Sequence, residues 1–366
     1  MNRKNASLLP SGLYDLLPPD AHKESSTIAR LLAGFESFGY VQVAPPLLEF
    51  ETSLLSGRGE SLSPQTFRVM DPSSQAMMGL RSDITMQIAR IAHSRLAASP
   101  RPLRLCYAGP ILQIKPEPLR NERQLTQAGI ELIGADSLYA DAEIMMVAAE
   151  VLTLLGIKDI SIDINLPGLL GELCPEALKD TALRARIKDA VTRKDVAMIK
   201  TLPIANSAVL ASLLEAAGPA DKSLPLLQHL RIAQAGMLSD VIAHVQRNCP
   251  YVSLTIDPIE YRGFNYHEGI SFSIFASGLR HELGRGGSYK VEKDSATGFT
   301  LYVTHLLPLL PEPADRERIM VPQTIDPAAA RALRAEGRAT LYALSEDAQG
   351  EAKKLGIKHI WKKETL

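Results

Sequence analysis

The 366-residue sequence predicts an α+β protein built on an antiparallel sheet flanked by helices. Two short apolar runs, 103–114 and 124–133, flank a polar loop and indicate an antiparallel hairpin. Residues 166–247 are rich in Leu, Ala, Lys and Arg with Pro and Gly spacers, which predicts a helical insertion. Residues 312–366 alternate strand-like and helix-like segments, which predicts a small C-terminal α/β unit. We therefore expect a core domain over 1–311, with the insertion at about 166–247, and a second domain over 312–366.

Composition excludes several classes of protein. Lys plus Arg is 40 against 41 for Asp plus Glu, so the basic excess typical of a nucleic-acid-binding chain is absent and such a partner is not expected. The N-terminus lacks the apolar run of a secretion signal, and the apolar segment 138–155 is interrupted by Glu143 and Glu150, so no membrane span is expected. The 3 cysteines fit neither a zinc site nor a disulfide framework, which indicates a cytoplasmic, reduced protein without a metal.

The N-terminal segment predicts a helix followed by a strand. Asp20 is a candidate helix cap that Glu24 reinforces, and apolar residues recur at helical spacing at Ile28, Leu31, Leu32 and Phe35. Gly39 ends the helix. Residues 40–49 then predict a strand that Pro45 and Pro46 break.

The next segment places two polar residues at the start of a helix. Residues 64–70 and 76–80 predict a strand–turn–strand, and a helix follows over 86–94. Asp83 and Thr85 lie between the end of the predicted strand and the start of the predicted helix. Helix capping is one interpretation of Asp83, because helix N-termini favour acidic and hydroxyl side chains.

The second strand of the hairpin carries an unusual polar face. Because strand side chains alternate, Gln127, Gly129 and Glu131 share one face, and the glycine is expected to leave open space above the sheet. A buried carboxylate without a partner is unfavourable. Glu131 therefore contacts water, pairs with a cation such as Arg104, or binds a cationic ligand, and the sequence leaves the three alternatives open.

Beyond the hairpin the sequence predicts a helix over 138–156 and strands over 160–165, 251–256 and 271–275. Between the last two strands lies the nonamer 261–269. Residues 284–290 indicate a glycine-rich turn, a weak signal that lacks the ending of a phosphate loop. The tail predicts strands at 318–321, 340–344 and 358–361, with helices at 327–336 and 348–355.

The hairpin and its neighbours resemble class II aminoacyl-tRNA synthetases, and among these histidyl-tRNA synthetase. Residues 105–134, with Tyr-Ala-Gly-Pro at the start and Gln-x-Gly-x-Glu-x-x-Gly at the end, resemble the second signature motif. The helix and strand of 20–49 resemble the first motif, and 296–307 matches the position of the third. The resemblance implies a class II synthetase-like antiparallel sheet and a self-dimer through the N-terminal helix and strand.

The resemblance also implies a binding site for histidine. In that family the acidic residue and the threonine at positions matching Asp83 and Thr85 hold the α-ammonium group, and the arginine matching Arg262 contacts the carboxylate. The remaining residues that the resemblance assigns to the amino-acid site are Gln127, Glu131, Tyr266, His267 and Tyr289. His267 stands where the family has a second tyrosine near the imidazole ring, which changes the expected recognition of that ring.

The ATP site of such a synthetase is degenerate in this sequence. Gln113, Lys115 and His305 stand where the family has an arginine for the α-phosphate, a glutamate and an arginine that stacks on adenine. Tyr302 replaces a glycine of the third motif. Adenylation requires concentrated positive charge and carboxylate-bound magnesium, so we expect no aminoacylation activity and no cofactor.

Together these features resemble the regulatory subunits of ATP phosphoribosyltransferase, which are histidyl-tRNA synthetase paralogues with a reduced C-terminal domain. The resemblance implies a non-catalytic chain that activates the short-form catalytic subunit, in a hetero-octamer, and mediates feedback inhibition by L-histidine in the first step of histidine biosynthesis. An active synthetase with unusual motifs and a tRNA-binding module are the alternatives.

Overall fold

A computed structural model describes residues 8–116, 121–178, 180–260 and 267–362. The chain forms two compact units, the first ending at Leu310 and the second beginning at Pro311. Within the described ranges, no helix is both long and apolar enough to cross a bilayer.

The helices are α1 (Asp20–Ser37), α2 (Glu51–Leu54), α3 (Thr85–His93), α4 (Leu138–Leu154), α5 (Leu169–Leu173), α6 (Thr181–Thr192), α7 (Val196–Thr201), α8 (Ser207–Glu215), α9 (Ala220–His229), α10 (Ala235–Asn248), α11 (Val303–Leu306), α12 (Pro327–Ala335) and α13 (Ala348–Lys354). The strands are β1 (Val41–Gln42), β2 (Leu48–Phe50), β3 (Arg68–Met70), β4 (Met77–Leu80), β5 (Leu103–Leu112), β6 (Gln124–Ile133), β7 (Ile160–Asn165), β8 (Gly218–Pro219), β9 (Ser253–Ile256), β10 (His267–Ala276), β11 (Gly284–Val291), β12 (Asp294–Tyr302), β13 (Arg318–Val321), β14 (Ala339–Tyr342) and β15 (His359–Ile360).

A large sheet organises the first unit. In the described part of the chain it has nine strands in the order β1-β5-β6-β12-β11-β10-β7-β9-β8. The central strands pair antiparallel, and within the described part of this sheet only β1 with β5 and β7 with β9 pair parallel. This confirms the predicted hairpin, because β5 and β6 pair along their whole length. The fold is α+β with a class II synthetase-like sheet, as predicted.

Helices α1, α4 and α10 cover one face of this sheet, and α3 packs on the other face, which also carries the cleft. Ala128, Ile130 and Leu132 of β6 are buried on the helical face, in one cluster that includes residues of α1, α4 and α10. Phe35 of α1 packs edge-on against Phe299 of β12, with ring centroids 5.8 Å apart. The helices of the 166–247 insertion contribute to this same cluster, so they pack into the core of the first unit.

The N-terminal elements differ in detail from the sequence prediction. Asp20 is the first residue inside α1 rather than its cap, since Pro19 occupies the cap position without a side-chain hydrogen bond. Glu24 accepts a 2.7 Å bond from the Thr126 hydroxyl instead of reinforcing the turn. The predicted strand over 40–49 is divided, because β1 joins the large sheet and β2 joins a small sheet of order β2-β4-β3.

The predicted glycine-rich turn at 284–290 is wrong, because this segment is strand β11. Its glycines serve packing between strands. A Cβ on Gly284 would lie 2.3 Å from the Thr300 carbonyl oxygen, and one on Gly286 would lie 2.5 Å from the ring of Phe272. Glycines in this segment therefore indicate close contact between neighbouring strands and not a turn.

The second unit contains a parallel sheet of order β14-β13-β15 with helices α12 and α13. Ile319, Val321 and Ala330 form part of one small core, and Trp361 packs against it. The predicted strands and helices of the tail all occur, with their ends shifted by up to two residues.

Candidate functional site

An open cleft lies over β6, β12 and β11, beside α3 and on the face of the sheet opposite α1, α4 and α10. Its floor contains glycines of β12 and β11, and its walls carry acidic, amide and hydroxyl side chains. The residues that line it are Leu62, Gln65, Ser82, Asp83, Thr85, Met86, Gln113, Glu131, Arg285, Gly286, Gly287, Tyr289, Gly298, Phe299, Thr300 and Tyr302.

Glu131 is buried in the cleft with 1% of its surface exposed. Its Oε2 accepts a 2.7 Å bond from the Tyr289 hydroxyl, and the Tyr107 hydroxyl lies 3.4 Å from Oε1. Burial raises the pKa of Glu131 to about 8, an effect that the hydroxyl bonds oppose and the nearby Asp83 carboxylate reinforces. Hydroxyls hold this carboxyl group, and no ion pair involves it within the described residues.

One of the three alternatives for Glu131 is excluded, and the prediction for Gly129 needs correction. Arg104 does not pair with Glu131, because its guanidinium makes two 2.9 Å bonds to Glu143 on α4. The space above Gly129 is not open either. A Cβ there would lie 2.7 Å from the Tyr107 hydroxyl, so the glycine makes room for the phenol. That phenol in turn bonds Thr300 at 2.7 Å.

Asp83 lies one residue before the N-cap of α3, which is Ile84. Its Oδ1 accepts a 2.8 Å bond from the backbone N–H of Thr85 at the start of α3. Its Oδ2 accepts a 2.9 Å bond from the Gln127 side chain, whose Oε1 accepts the N–H of Ile84 at 3.0 Å. Asp83 and Thr85 line the cleft. Gln127 lies behind Asp83 and fixes its orientation through this hydrogen bond.

Arg81 locks the segment that carries Asp83. It is buried, and its Nε donates to the carbonyl of Pro110 at 2.8 Å while Nη1 donates to that of Pro45 at 2.9 Å. A Cβ on Gly109 would lie 2.3 Å from Nη2, which explains the glycine. These bonds fix the β4–α3 connection to β5.

The remaining predicted histidine-site residues are only partly described. Tyr289 lines the cleft and bonds Glu131. His267 begins β10 opposite Tyr289, and its side chain lies outside the described residues. Arg262 and Tyr266 also lie outside them.

The three residues at the positions that match the ATP site of synthetases do not lie together in the cleft. Gln113 lines the cleft as a neutral amide. Lys115 is exposed and contacts Gln65 through its backbone N–H at 3.1 Å. His305 is fully buried, with Nδ1 2.8 Å from the carbonyl oxygen of Glu282 and its ring 4.8 Å from that of Tyr302. Tyr302 itself lines the cleft.

The sequence analysis missed Thr300 and Arg285 as cleft residues and Tyr107 as a buried neighbour of Glu131. Tyr107 had a usable signal, because hairpin register places it opposite Gly129 and on the face of Glu131. The sequence contains no such signal for Thr300 and Arg285, because their positions in the cleft depend on the pairing of β12 with β6 and of β11 with β12. In the described part of the chain, no group of His, Cys, Asp and Glu is arranged to hold a metal ion.

The fold and the cleft are those of a class II synthetase-like protein, and comparison with known proteins gives the same class. The family model described as Histidyl-tRNA synthetase matches residues 12–306. A solved structure titled as an ATP phosphoribosyltransferase regulatory subunit/histidyl-tRNA synthetase from Bacillus halodurans aligns with a TM-score of 0.82 at 21% identity, covering 98% of this chain and 99% of that one. Histidyl-tRNA synthetase from Nostoc aligns with a TM-score of 0.75 at 19% identity, covering 97% and 90%. At these identities the two structures show the shared fold.

Curated relatives define the family more narrowly. The ATP phosphoribosyltransferase regulatory subunit of Gluconobacter oxydans is 44% identical and covers 98% of this chain and 96% of its own length. That of Paramagnetospirillum magneticum is 45% identical over 97% and 96%. The chain belongs to the family of ATP phosphoribosyltransferase regulatory subunits, on a histidyl-tRNA synthetase-like fold.

Proposed function

We propose that this chain is the regulatory subunit of an ATP phosphoribosyltransferase, and that it binds L-histidine in the cleft without adenylating it. One contrast carries the proposal. The cleft keeps buried acidic and hydroxyl groups suited to a small cationic or N–H-bearing ligand, whereas Gln113, Lys115 and His305 stand at the three positions that would serve ATP.

Histidine fits this chemistry group by group. Its ammonium is the partner for Asp83 and the Thr85 hydroxyl, and an imidazole N–H is the partner for Glu131. Charge-assisted hydrogen bonds of this kind contribute about 1.5–3 kcal/mol each. A few of them together support binding of micromolar order. In this proposal Arg262, Tyr266 and His267 supply the remaining contacts to the ligand, as the family resemblance implies.

The regulatory mechanism follows from linkage. A ligand shifts a conformational equilibrium only through unequal affinity for the two states. If histidine binds the less active arrangement of the subunits more tightly, it lowers the activity of a short-form catalytic subunit bound to this chain. We propose a hetero-octamer with that subunit, active in the first step of histidine biosynthesis.

Co-purification with a short-form transferase tests this function. The two chains are expected to elute together, and transferase activity is expected to require this chain and to fall on addition of L-histidine. A transferase that is equally active without this chain would contradict the proposal. ATP–pyrophosphate exchange dependent on histidine would instead support the alternative of an active synthetase.

A self-dimer through the N-terminal elements has independent support in an apolar surface. The register of the small sheet puts five apolar side chains on one face, and three of them are more than a third exposed: Leu48, Phe50, Val69, Met78 and Leu80. Val41 of β1 is also exposed. A continuous apolar sheet face of this kind is typical of a surface that another chain covers.

Phe50→Glu is expected to shift the chain from dimer to monomer, because it places a charge in the centre of this apolar face. Light scattering coupled to gel filtration measures the mass. Leu226→Glu is the matched control, since Leu226 is similarly exposed on α9 in the insertion and is not expected to change the mass. A Phe50→Glu variant that keeps the wild-type dimer mass would exclude this interface.

A further inference from the structure

The Tyr107 hydroxyl lies between two side chains of the proposed ligand site. Tyr107 is fully buried in β5, and its phenol occupies the space over Gly129. Among the described residues, its oxygen has three oxygen neighbours: Thr300 Oγ1 at 2.7 Å, Thr85 Oγ1 at 3.3 Å and Glu131 Oε1 at 3.4 Å. Thr85 and Glu131 are the residues proposed above for the ammonium and imidazole groups, so a single phenol contacts both of them.

The donor and acceptor roles in this group are fixed once Glu131 is ionised. A carboxylate only accepts hydrogen bonds, whereas a hydroxyl donates one and accepts up to two. All three contacts are therefore hydrogen bonds only if the phenol donates to Glu131 and accepts from both threonines. Burial and the nearby carboxyl groups raise the pKa of Tyr107 well above its usual range, so the phenol keeps the proton that it donates.

The same arrangement connects the two ends of the ligand. Thr85 donates its proton to the phenol, and its oxygen accepts an N–H of the ligand ammonium group. The bonds from the ammonium to Thr85, from Thr85 to Tyr107 and from Tyr107 to Glu131 then all point the same way, and the imidazole N–H meets the chain at Glu131. Hydrogen bonds arranged in such a chain polarise and strengthen one another.

We propose, on the basis of the histidine site proposed above, that Tyr107 is a positioning residue whose hydroxyl donates to Glu131 when that carboxyl group is ionised, so that ligand binding at Glu131 and at Thr85 is interdependent. The proton of Glu131 passes to the ligand imidazole or to solvent, and no other covalent bond changes. Tyr107 is not among the described residues that line the cleft, so it acts through Glu131 and Thr85. Removing its hydroxyl makes ionisation of Glu131 less favourable and weakens binding.

Calorimetry with L-histidine at two pH values tests this role. The pKa of Glu131 is about 8. Tyr107→Phe is expected to weaken binding about 10-fold at pH 7.0, where Glu131 of the free protein must still lose its proton, and only about twofold at pH 9.0, where it is already ionised. Asp83, Thr85 and Tyr289 also act on Glu131, and Arg285 lines the same cleft. All four are present in both proteins, so their effects and the titration of the ligand cancel in the ratio of the two Kd values.

Thermal melts of the ligand-free protein give a second measurement that does not depend on histidine. In Tyr107→Phe, Glu131 is expected to ionise at a higher pH than in the wild type. The free energy of unfolding of the variant then continues to fall above pH 8, where that of the wild type levels off. The Tm of the variant is therefore expected to drop further below that of the wild type between pH 8 and pH 9.5.

Two controls separate this role from packing. Tyr40→Phe removes another buried phenol, which donates a 2.9 Å bond to Glu143 outside the cleft, and it is expected to give no pH-dependent difference in this range. Tyr107→Phe in a Glu131→Gln background is expected to lose its pH dependence, because the amide does not ionise.

A Kd ratio that is equal at both pH values, together with a constant Tm difference, would show that the Tyr107 hydroxyl only packs the core. Unchanged L-histidine binding in Tyr107→Phe would exclude the interdependence. If the wild-type chain does not bind L-histidine, the proposed histidine site fails. The melts then decide separately whether Tyr107 stabilises the ionised form of Glu131, and a Tm difference that stays constant above pH 8 would contradict it.

Discussion

Replacing Glu131 with glutamine is expected to weaken L-histidine binding and at the same time to stabilise the ligand-free protein. Binding is weakened because the Glu131 carboxyl group can lose its proton and pair with a cationic or N–H-bearing ligand group, whereas the amide of glutamine stays neutral. The loss of one charge-assisted contact corresponds to about 10- to 100-fold in Kd. Calorimetry at pH 8.5, above the pKa of about 8 of Glu131, measures it.

The gain in stability follows from the raised pKa of Glu131. The unfolded chain ionises this group near its ordinary pKa of 4.5, while the folded chain keeps the proton up to about pH 8. Across that interval the unfolded state binds fewer protons, so the free energy of unfolding falls by about 1.4 kcal/mol per pH unit and levels off above pH 8. Glu131→Gln lacks this dependence. Its Tm is expected to equal that of the wild type near pH 4.5 and to exceed it by several degrees at pH 8.5.

Thermal melts across this pH range, made also on a control variant, separate the stabilisation by Glu131→Gln from nonspecific effects of removing a charge. Glu215→Gln makes the same substitution at an exposed position of α8. It is expected to follow the wild-type curve and to bind histidine normally. A Glu131→Gln variant whose Tm runs parallel to the wild-type curve at every pH would show that Glu131 is ionised in the folded protein.

Gly298→Ala is expected to be the most destabilising single-methyl change in the cleft. The added Cβ would lie 2.0 Å from Oε2 of Glu131 and 2.5 Å from the carbonyl oxygen of Ile130. The backbone of a central strand cannot move aside without breaking its pairing, and the carboxyl group is held by Tyr289. We expect a loss of about 3 kcal/mol, a Tm about 5–10 °C lower and much weaker histidine binding.

The control for this variant is Gly236→Ala, because no atom lies within 4 Å of the added Cβ on α10. It is expected to be neutral or stabilising, since alanine favours helix over glycine. Adding Glu131→Ala to Gly298→Ala is expected to restore part of the lost stability by removing one of the two contacts. A Gly298→Ala variant with the wild-type Tm would show that Glu131 does not lie against Gly298.

Local patterns in the sequence were sufficient to predict the main elements of the fold. Alternation along 124–133 separated Glu131 from the core face that holds Ile130, and this separation is what the hairpin shows. The helix end at Gly39 follows from a positive φ of 81° that glycine adopts readily. Such features depend on a few neighbouring residues, so a sequence reports them directly.

Features that depend on distant pairing were not predictable in the same way. Glycines over 284–290 suggested a turn because glycine is common in turns, but here they allow close contact with Thr300 and Phe272 from neighbouring strands. Arg104 was one of the alternatives considered as a partner for Glu131, yet it lies opposite Leu132 and bonds Glu143 on α4. The role of Gln127 behind Asp83 likewise required the position of α3.

Parallel calorimetric titrations of the wild-type chain with L-histidine and with magnesium–ATP test the central claim most directly. The account predicts saturable heat with L-histidine at micromolar order and none with magnesium–ATP, whether or not histidine is present. Saturable binding of magnesium–ATP that requires Gln113 or Tyr302, or a failure to bind L-histidine at all, would contradict it.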